Sequence, residues 1–508
     1  MHTLQTVHQF ITFTMSSADV AYANIFMKKH GDKALFVAVQ NDLAAEVIKI
    51  LIEKSEIDIN ADTKDDNGLT VWHHAAKNNL NPESMEILIN NKNHYANNYN
   101  IIVDNNGAIP LHYAAKNNLN PESIKILLTH KPRHMNVNTT DKNGKTVLHY
   151  AVENNLDPES MKILFNQKYY VNSQDTNGKT ALHYAAENNL NSKLMKLLLP
   201  WNINIKDRKQ KTALHYAAEF NLNAKSMEIL LTLNPIHFED KYKKTPLHYA
   251  AQFNLNAKSM NMLIRHIVQE SRTDREGNTI FHYAAQFNLN AKSMQILMST
   301  SKMNAYIWNV NKYNMTPLHC AVQHNLNVKS MKILTQRNRI PDIWEIIVNT
   351  KSIFGFTALH CAVKLNLNPQ LMKLLIETGI SLNEKTNDEK GETALHFAVK
   401  SNNVECIKIL INNGINVNAV ENKGQTALHC AAKSNSNVEC IKILVNSGIN
   451  IHDFMHVLAL FQHIENLINQ QNNNNLAEND EQKENNQNQP NNNNNNEENE
   501  GQNDTPYH

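Results

Sequence analysis

Histidine and tyrosine stand side by side in the stretch TALHYAAENNL, residues 180–190, where Thr180 precedes the pair and Glu187 follows it. An imidazole near a phenol and a carboxylate has the chemistry of an acid–base site, because histidine changes charge near neutral pH. Histidine is also a common zinc ligand. The residue types therefore allow an acid–base site, a metal site or a purely structural role for His183.

The histidine of this stretch recurs through most of the chain, at intervals of 32 to 41 residues with a base period near 33. The eleven copies are His73, His112, His149, His183, His215, His248, His282, His319, His360, His396 and His429. Equivalent residues of stacked repeats lie about 10 Å apart, whereas zinc ligands lie about 2 Å from a shared ion. Recurrence indicates a building unit, and we expect neither a metal nor a catalytic role for these histidines.

Each copy is predicted to fold as a turn followed by two helices. The turn, as in DTNG at 175–178, opens with aspartate and ends with a glycine that can adopt positive φ. Thr180 suits the N-cap of a short first helix, and Asn189 stands where a left-handed residue is needed to end it. Asn81 and the proline after it, in the sequence NPES, predict the start of a second helix.

This order of elements resembles the ankyrin repeat, which has a β-turn and two helices in about 33 residues around the motif T-P-L-H-x-A. The resemblance implies an all-α solenoid of about eleven to twelve helix–loop–helix units with short β-turn or hairpin connections. It also implies that the repeat histidine hydrogen-bonds the turn backbone and ties one repeat to the next. The tyrosine beside it is replaced by Cys320, Cys361, Phe397 and Cys430 in later copies, which indicates a packing position.

The same pattern predicts the division of the chain. We expect an N-terminal helical segment, a degenerate capping repeat with Phe36 in the histidine position, eleven repeats, a C-terminal capping helix and a disordered asparagine-rich tail. Their predicted bounds are 1–32, 33–64, 65–452, 453–470 and 471–508.

The bulk composition argues against several classes of partner and location. The chain has 49 basic and 48 acidic residues, so no global field attracts nucleic acid or an anionic membrane. No apolar run approaches the roughly 18 residues of a membrane span, and no signal peptide is evident. The five cysteines form no CxxC pair, which favours a reduced compartment. We therefore expect a cytoplasmic monomer.

Enzyme motifs are missing from the sequence as well. We find no GxxxxGK[ST], GxGxxG, HExxH or GxSxG pattern and no kinase signature set. The prediction is a non-catalytic protein without a cofactor or a metal.

The resemblance implies that a partner is bound by the turn tips and by the two residues that end each first helix. In repeats one to four the second of these residues is asparagine, as at Asn188. In repeats five to nine it becomes Phe220, Phe253, Phe287, His324 and Leu365. The face therefore changes from polar to mainly apolar.

The turn tips beside these residues are rich in basic and aromatic side chains, which often contribute interface energy. They are Arg208, Lys209, Lys211, Lys241, Tyr242, Lys243, Lys244, Arg275 and Tyr313. We interpret repeats five to nine as a groove for a protein partner with an acidic segment and apolar anchors.

Other interpretations are open from the sequence alone. Phe220, Phe253 and Phe287 could simply pack beneath the neighbouring turns, or resemble one another because the repeats were recently duplicated. Basic and aromatic residues together are also typical of RNA or single-stranded DNA binding, although the near-zero net charge argues against it. A third hypothesis is the targeting arm of a secreted microbial effector, acting in the host cytosol.

Overall fold

The computed structural model describes residues 18–448 apart from short gaps, together with residues 466 and 469. The gaps are 55–63, 91–101, 130–135, 167–169, 199–201, 233–238, 267–272, 300–306, 337–343 and the single residues 189, 191, 221, 254, 288, 325, 366 and 435. The described residues belong to two units, Met1–Ile353 and Phe354–His508, and each is described by itself. The predictions for the first 17 residues, for Asn189, for nearly all of 453–470 and for 471–508 lie outside the described residues.

The first unit begins with helices that precede the first repeat histidine. Helix α1 spans 18–30, a 3-10 turn spans Gly31–Lys33, and α2 (Ala34–Gln40) and α3 (Ala45–Lys54) follow. The Phe36 ring on α2 lies edge-on to the ring of His74, with ring centroids 5.7 Å apart. The capping role of this segment stays a prediction.

Eight helix pairs follow in the first unit, one for each repeat histidine from His73 to His319. The pairs are α4 (Val71–Lys77) with α5 (Pro82–Asn90), α6 (Pro110–Lys116) with α7 (Pro121–Thr129), α8 (Val147–Glu153) with α9 (Pro158–Phe165), α10 (Ala181–Glu187) with α11 (Ser192–Leu197), α12 (Ala213–Glu219) with α13 (Ala224–Leu231), α14 (Pro246–Gln252) with α15 (Ala257–His266), α16 (Ile280–Gln286) with α17 (Ala291–Ser299), and α18 (Pro317–Gln323) with α19 (Val328–Leu334). First helices pack on first helices and second helices on second helices of the next repeat. An additional helix, α20 (Trp344–Val348), packs the Trp344 ring edge-on against Trp308.

The second unit repeats the same arrangement. Its helix pairs are α21 (Ala358–Lys364) with α22 (Pro369–Glu377), α23 (Ala394–Lys400) with α24 (Val404–Asn412), and α25 (Ala427–Lys433) with α26 (Val438–Asn446). Among the described residues of both units, the β-structure is one isolated bridge between Val420 and Thr426. The prediction of an all-α fold is confirmed.

The turn chemistry predicted from the sequence is present at each end of the helix pairs. Asp175 Oδ1 accepts the backbone N–H groups of Asn177 and Lys179 at 2.8 Å. Gly178 has a φ of 77°, which a side chain would strain. The second helix begins as predicted, because Asn81 Oδ1 accepts the amide of Ser84 at 2.9 Å.

A left-handed asparagine follows the first helix in the first three repeats. Asn79, Asn118 and Asn155, which occupy the position of Asn189 in their repeats, have φ values of 56°, 57° and 52°. Asparagine tolerates this conformation better than most residues, so it ends the helix at low cost. The next residue, leucine in most repeats, is buried, as at Leu80. The longer inter-helix loop therefore contributes to the core.

No described helix is long and apolar enough to cross a membrane.

Candidate functional site

The repeat histidine has a defined hydrogen-bond partner at each ring nitrogen. In the fourth repeat, His183 Nε2 lies 3.1 Å from the carbonyl oxygen of Lys211 in the next repeat, and this oxygen can only accept. The proton must therefore sit on Nε2. His183 Nδ1 then accepts the backbone N–H of Thr180 at 3.0 Å. One imidazole thus joins the start of its own helix to the turn that follows one repeat later.

The same contact to the next repeat, at 2.9 to 3.3 Å, is made by His73, His112, His149, His183, His215, His248, His282, His360 and His396. His319 and His429 accept the backbone N–H of the preceding threonine, Thr316 and Thr426, in the same way. Burial lowers the pKa of His215 to about 3 and that of His248 to about 4. These imidazoles are neutral at physiological pH and are engaged with backbone.

The hydroxyl of the N-cap threonine bonds to the repeat histidine. Thr180 Oγ1 lies 2.8 Å from His183 Nδ1, and because this nitrogen is an acceptor, the hydroxyl donates to it. Thr180 is the N-cap residue, as predicted, but no helix N–H donates to its hydroxyl. In the ninth repeat, Thr357 Oγ1 also accepts the His360 N–H at 3.4 Å. Ile109 has no hydroxyl, yet its backbone N–H still donates to His112 Nδ1 at 3.0 Å. The backbone bond is the constant part of the motif.

The tyrosine beside the histidine is also fully engaged. Tyr184 Oη donates to Asp175 Oδ2 at 2.7 Å, which ties the first helix to its own turn. The same bond is made by Tyr113, Tyr150, Tyr216, Tyr249 and Tyr283 at 2.7 to 2.8 Å. Burial and the Asp175 carboxylate raise the pKa of Tyr184 far above its usual value. The Tyr216 ring packs edge-on against His183, with centroids 5.7 Å apart.

A second line of hydrogen bonds joins the repeats, and the sequence pattern did not predict it. The serine of the second helix donates its hydroxyl to the carbonyl of the loop leucine in the preceding repeat, as Ser226 does to Leu190 at 2.7 Å. The same contact is made by Ser123, Ser160, Ser259, Ser293 and Ser330 at 2.7 to 3.2 Å. A serine recurs three residues after the N-cap of the second helix, and this recurrence could have predicted the contact.

The phenylalanines at the ends of the first helices are exposed on one side and stacked on the other. Phe220, Phe253 and Phe287 have exposed fractions of 43%, 42% and 39%. Each ring lies nearly parallel to the tyrosine one helical turn earlier, with centroids 6.0 to 6.2 Å apart. We call these three residues the aromatic face. They do not pack wholly beneath the neighbouring turns.

The turn tips are aligned by the backbone, because the N–H of one tip donates to a carbonyl of the preceding tip. Arg208 N donates to Asn177 O, Lys241 N to Lys209 O and Arg275 N to Tyr242 O, at 2.9 to 3.0 Å. The side chains of the following tip residues are exposed: Arg208, Lys209, Lys241, Tyr242, Lys243, Arg275 and Tyr313. The predicted basic and aromatic tips therefore point to solvent at regular spacing.

Two lysines of the predicted basic rim are less exposed than the others. The Lys211 side chain is 8% exposed, and its Nζ lies 2.7 Å from Glu219 Oε2. Lys244 is half-buried and donates to Gln252 Oε1 at 3.1 Å. Both side chains turn from the tip toward the end of the first helix, so the prediction of a rim position for Lys211 is wrong.

His324 and Leu365 occupy the position of the aromatic face in repeats eight and nine. His324 follows α18 in the first unit, and Leu365 follows α21 in the second unit. Both side chains are exposed.

The repeat geometry and the comparison with known families agree. A family model described as ankyrin repeats (3 copies) matches nine overlapping stretches that together run from residue 4 to residue 455. The chain belongs to the ankyrin-repeat family. No curated protein matches this ankyrin-repeat chain. The match covers most of the chain. Within it, the repeat histidines join adjacent repeats and the turn aspartates bond the backbone of their own turn.

The described part of this ankyrin-repeat chain has no group of three or more histidine, cysteine, aspartate or glutamate side chains placed to hold a metal ion. The five cysteines, Cys320, Cys361, Cys406, Cys430 and Cys440, are buried and none is in a disulfide.

We expect the cysteines of the native ankyrin-repeat chain to resist alkylation. Burial raises the pKa of Cys406 to about 11, and the thiolate is the reactive form. Iodoacetamide should modify Cys406 at least about 100-fold more slowly in the native chain than in urea. Peptide mass spectrometry over a time course measures this difference. Rapid labelling of native Cys406 would contradict its burial.

Proposed function

We propose that the chain is a non-catalytic interaction protein that binds a protein partner on the turn tips and first-helix ends of repeats five to nine. Ankyrin repeats generally mediate protein–protein interaction. The expected partner contains an acidic segment with apolar anchors. A cytoplasmic location and a monomeric state belong to the same proposal.

The observation that carries this proposal is the exposure of the aromatic face beside exposed basic tips. Three phenylalanines at equivalent positions each leave about two fifths of their surface in water. A monomer gains nothing in stability from this surface, whereas aromatic side chains are common anchors in protein interfaces. Arg208, Lys241 and Arg275 lie at the tips of the same repeats, so charge and apolar surface occur together.

Backbone strain at the tips supports the same region. Most described repeats have glycine at the left-handed tip position, as at Gly144 and Gly178. Repeats five, six and eight instead have Gln210, Lys243 and Asn314, with φ values of 63°, 60° and 53°. A side chain in this conformation costs about 1 kcal/mol, although less for asparagine. A strained backbone often occurs at functional sites, so these non-glycine residues are consistent with a binding role for the tip side chains.

Replacement of the aromatic face tests the proposal. We expect the triple variant F220A/F253A/F287A to remain folded, because these side chains are substantially exposed, and to lose its partner by at least about 100-fold in affinity. Affinity purification from the native cell, followed by titration with the recovered partner, measures the loss.

The matched control is N117A/N154A/N188A, which changes the same position in repeats two to four. This control should bind as the unmodified chain does. A folded F220A/F253A/F287A variant that retains every partner would show that binding does not use the aromatic face.

A further inference from the structure

Two positions eight residues apart form a complementary pair in five repeats. The first position directly precedes the N-cap, and the second ends the first helix. Repeats three, four and five have the ion pairs Lys145–Glu153, Lys179–Glu187 and Lys211–Glu219, at 2.6 to 2.7 Å. The tenth repeat has the reverse pair, Glu392 with Lys400. The ninth places Lys364 Nζ over the Phe356 ring, 4.9 Å from its centroid.

The sixth repeat departs from this pattern. Lys244 keeps the lysine of repeats three to five, but the glutamate is replaced by Gln252. The Lys244 ammonium group donates to the neutral Gln252 amide oxygen at 3.1 Å, and among the described residues no carboxylate forms an ion pair with it. The nearest turn carboxylates are occupied: Asp240 and Asp274 each accept two backbone N–H groups and a tyrosine hydroxyl.

This cation is held in a partly desolvated aromatic setting. Lys244 Nζ lies 4.6 Å from the ring centroid of Tyr283 and 5.6 Å from that of Tyr249. Burial lowers the pKa of Lys244, while Asp274 and Asp240 oppose this shift. An ammonium group in such a position gains more from a carboxylate than an exposed lysine does, because the lower local dielectric strengthens the pair.

The neighbouring surface suits the rest of an acidic segment. Phe253 directly follows Gln252, and Phe287 directly follows the next first helix, so two exposed rings of the aromatic face belong to the repeats on which Lys244 packs. Lys241 and Arg275, at the tips of the same two repeats, are exposed cations. A partner carboxylate near Lys244 would therefore be accompanied by apolar contacts and by further positive charge.

We propose that Lys244 is the specificity-determining residue of this surface, and that a glutamate or aspartate side chain of the protein partner gives Lys244, beside Gln252, the carboxylate that Glu219 gives Lys211 in the fifth repeat. This inference rests on the proposed function and adds the chemistry of recognition. It assigns the acidic side chain to repeat six and an apolar neighbour to Phe253 or Phe287.

The test uses the full chain and a phage-displayed library of random short peptides. We expect peptides selected on the unmodified chain to be enriched in aspartate and glutamate next to an apolar residue. Their affinity is then measured on Q252E, which supplies the missing glutamate as repeats three to five do and so preserves the fold. Q252E should weaken binding by about tenfold or more, because the carboxylate of the chain then competes for Lys244.

The matched control is Q286E, which adds the same charge at the same position one repeat later. The residue eight positions earlier is Asn278, so the seventh repeat has no lysine at the position that pairs with the new carboxylate. In repeats three to five, each described lysine pairs with the glutamate of its own repeat. Q286E should therefore weaken binding much less than Q252E.

The outcomes separate this inference from the proposed function. Equal binding by Q252E and the unmodified chain, or a selection without acidic enrichment, would overturn the role of Lys244. If F220A/F253A/F287A still binds the selected peptides more weakly, the proposed role of the aromatic face is supported and only the assignment to Lys244 is wrong. If neither variant loses them, both proposals fail.

Two further probes test other occupants. A single-stranded oligonucleotide that binds with the same dependence on Gln252 would assign the site to phosphate instead of carboxylate. A synthetic peptide of residues 471–508, which has eight acidic residues and one basic residue, would assign it to this chain if it displaces the selected peptides. We expect neither probe to compete at equal concentration, and competition by either would overturn the assignment to a separate protein partner.

Discussion

Acidification from about pH 7 to about pH 5 is expected to unfold the first unit, because its repeat histidines stay neutral in the folded state whereas those of the unfolded chain take up protons below about pH 6.5. Burial lowers the pKa of seven of them, namely His73, His112, His149, His183, His215, His248 and His282. Each Nδ1 accepts a backbone N–H, as in the Thr180–His183 pair, so a proton on this nitrogen would face a donor. Protonation is therefore unfavourable at each of these seven histidines in the folded unit.

The lowered pKa values of the folded histidines determine how stability changes with pH and in which pH range. The folded pKa values of His215 and His248, about 3 and about 4, lie below the ordinary histidine value near 6.5. The unfolded chain therefore binds more protons below about pH 6.5, and each histidine removes up to about 1.4 kcal/mol of stability per pH unit. The four histidines with folded pKa values of about 3 to about 4, His73, His215, His248 and His282, together remove up to about 6 kcal/mol per pH unit, which is a large part of the stability of a typical domain.

Circular dichroism at constant ionic strength, with calorimetric measurement of proton uptake, tests this expectation. Uptake of several protons in a transition above about pH 4 would support it, because ordinary carboxylates titrate near or below that pH. Helix content unchanged down to about pH 4 would contradict it. The loss should be reversible on return to neutral pH if no aggregation intervenes.

Replacement of one central histidine is expected to have the second largest effect. His215→Ala removes the acceptor of the Thr212 N–H at 3.1 Å and the donor to the Lys244 carbonyl at 3.2 Å. Two backbone groups in a buried region lose their partner, each at about 1–3 kcal/mol, and the missing ring leaves a cavity. We expect the variant to lose about 3–5 kcal/mol of local stability.

Hydrogen exchange of repeats five and six measures this loss directly, which suits an array whose repeats can open separately. The control is His324→Ala, which removes an exposed histidine from the end of a first helix. This control should change the free energy of unfolding by less than about 0.5 kcal/mol. Equal exchange in His215→Ala and in the control would show that the histidine contacts contribute little.

Much of the fold could be predicted because one pattern recurs. The fold, the N-cap asparagines and the left-handed tip glycines follow from local rules that act within a few residues. The direction of the threonine–histidine bond could not be predicted, because it depends on which group faces Nε2 from the next repeat. For His183 that group is the Lys211 carbonyl, 28 residues away in the chain.

The candidate site shows the same division. Phe220 was identified from its position, but its partial exposure depends on how its ring stacks on Tyr216, with an interplanar angle of 9°. Lys211 and Lys241 both come from tips that look basic in the sequence. Only the path of the turn decides that Lys211 meets Glu219 while Lys241 faces solvent.

The hydrogen bonds between repeats also bear on how such an array can change its length. His183 and His215 contact the residue before the next threonine, and Tyr216 and Tyr249 contact the aspartate five residues before their own threonine. Removal of residues 212–244 would join Lys211 to Thr245 and place Asp207 where Tyr249 needs its acceptor. Whole repeats are therefore interchangeable, and recombination between similar copies can add or delete a binding position without requiring a new fold.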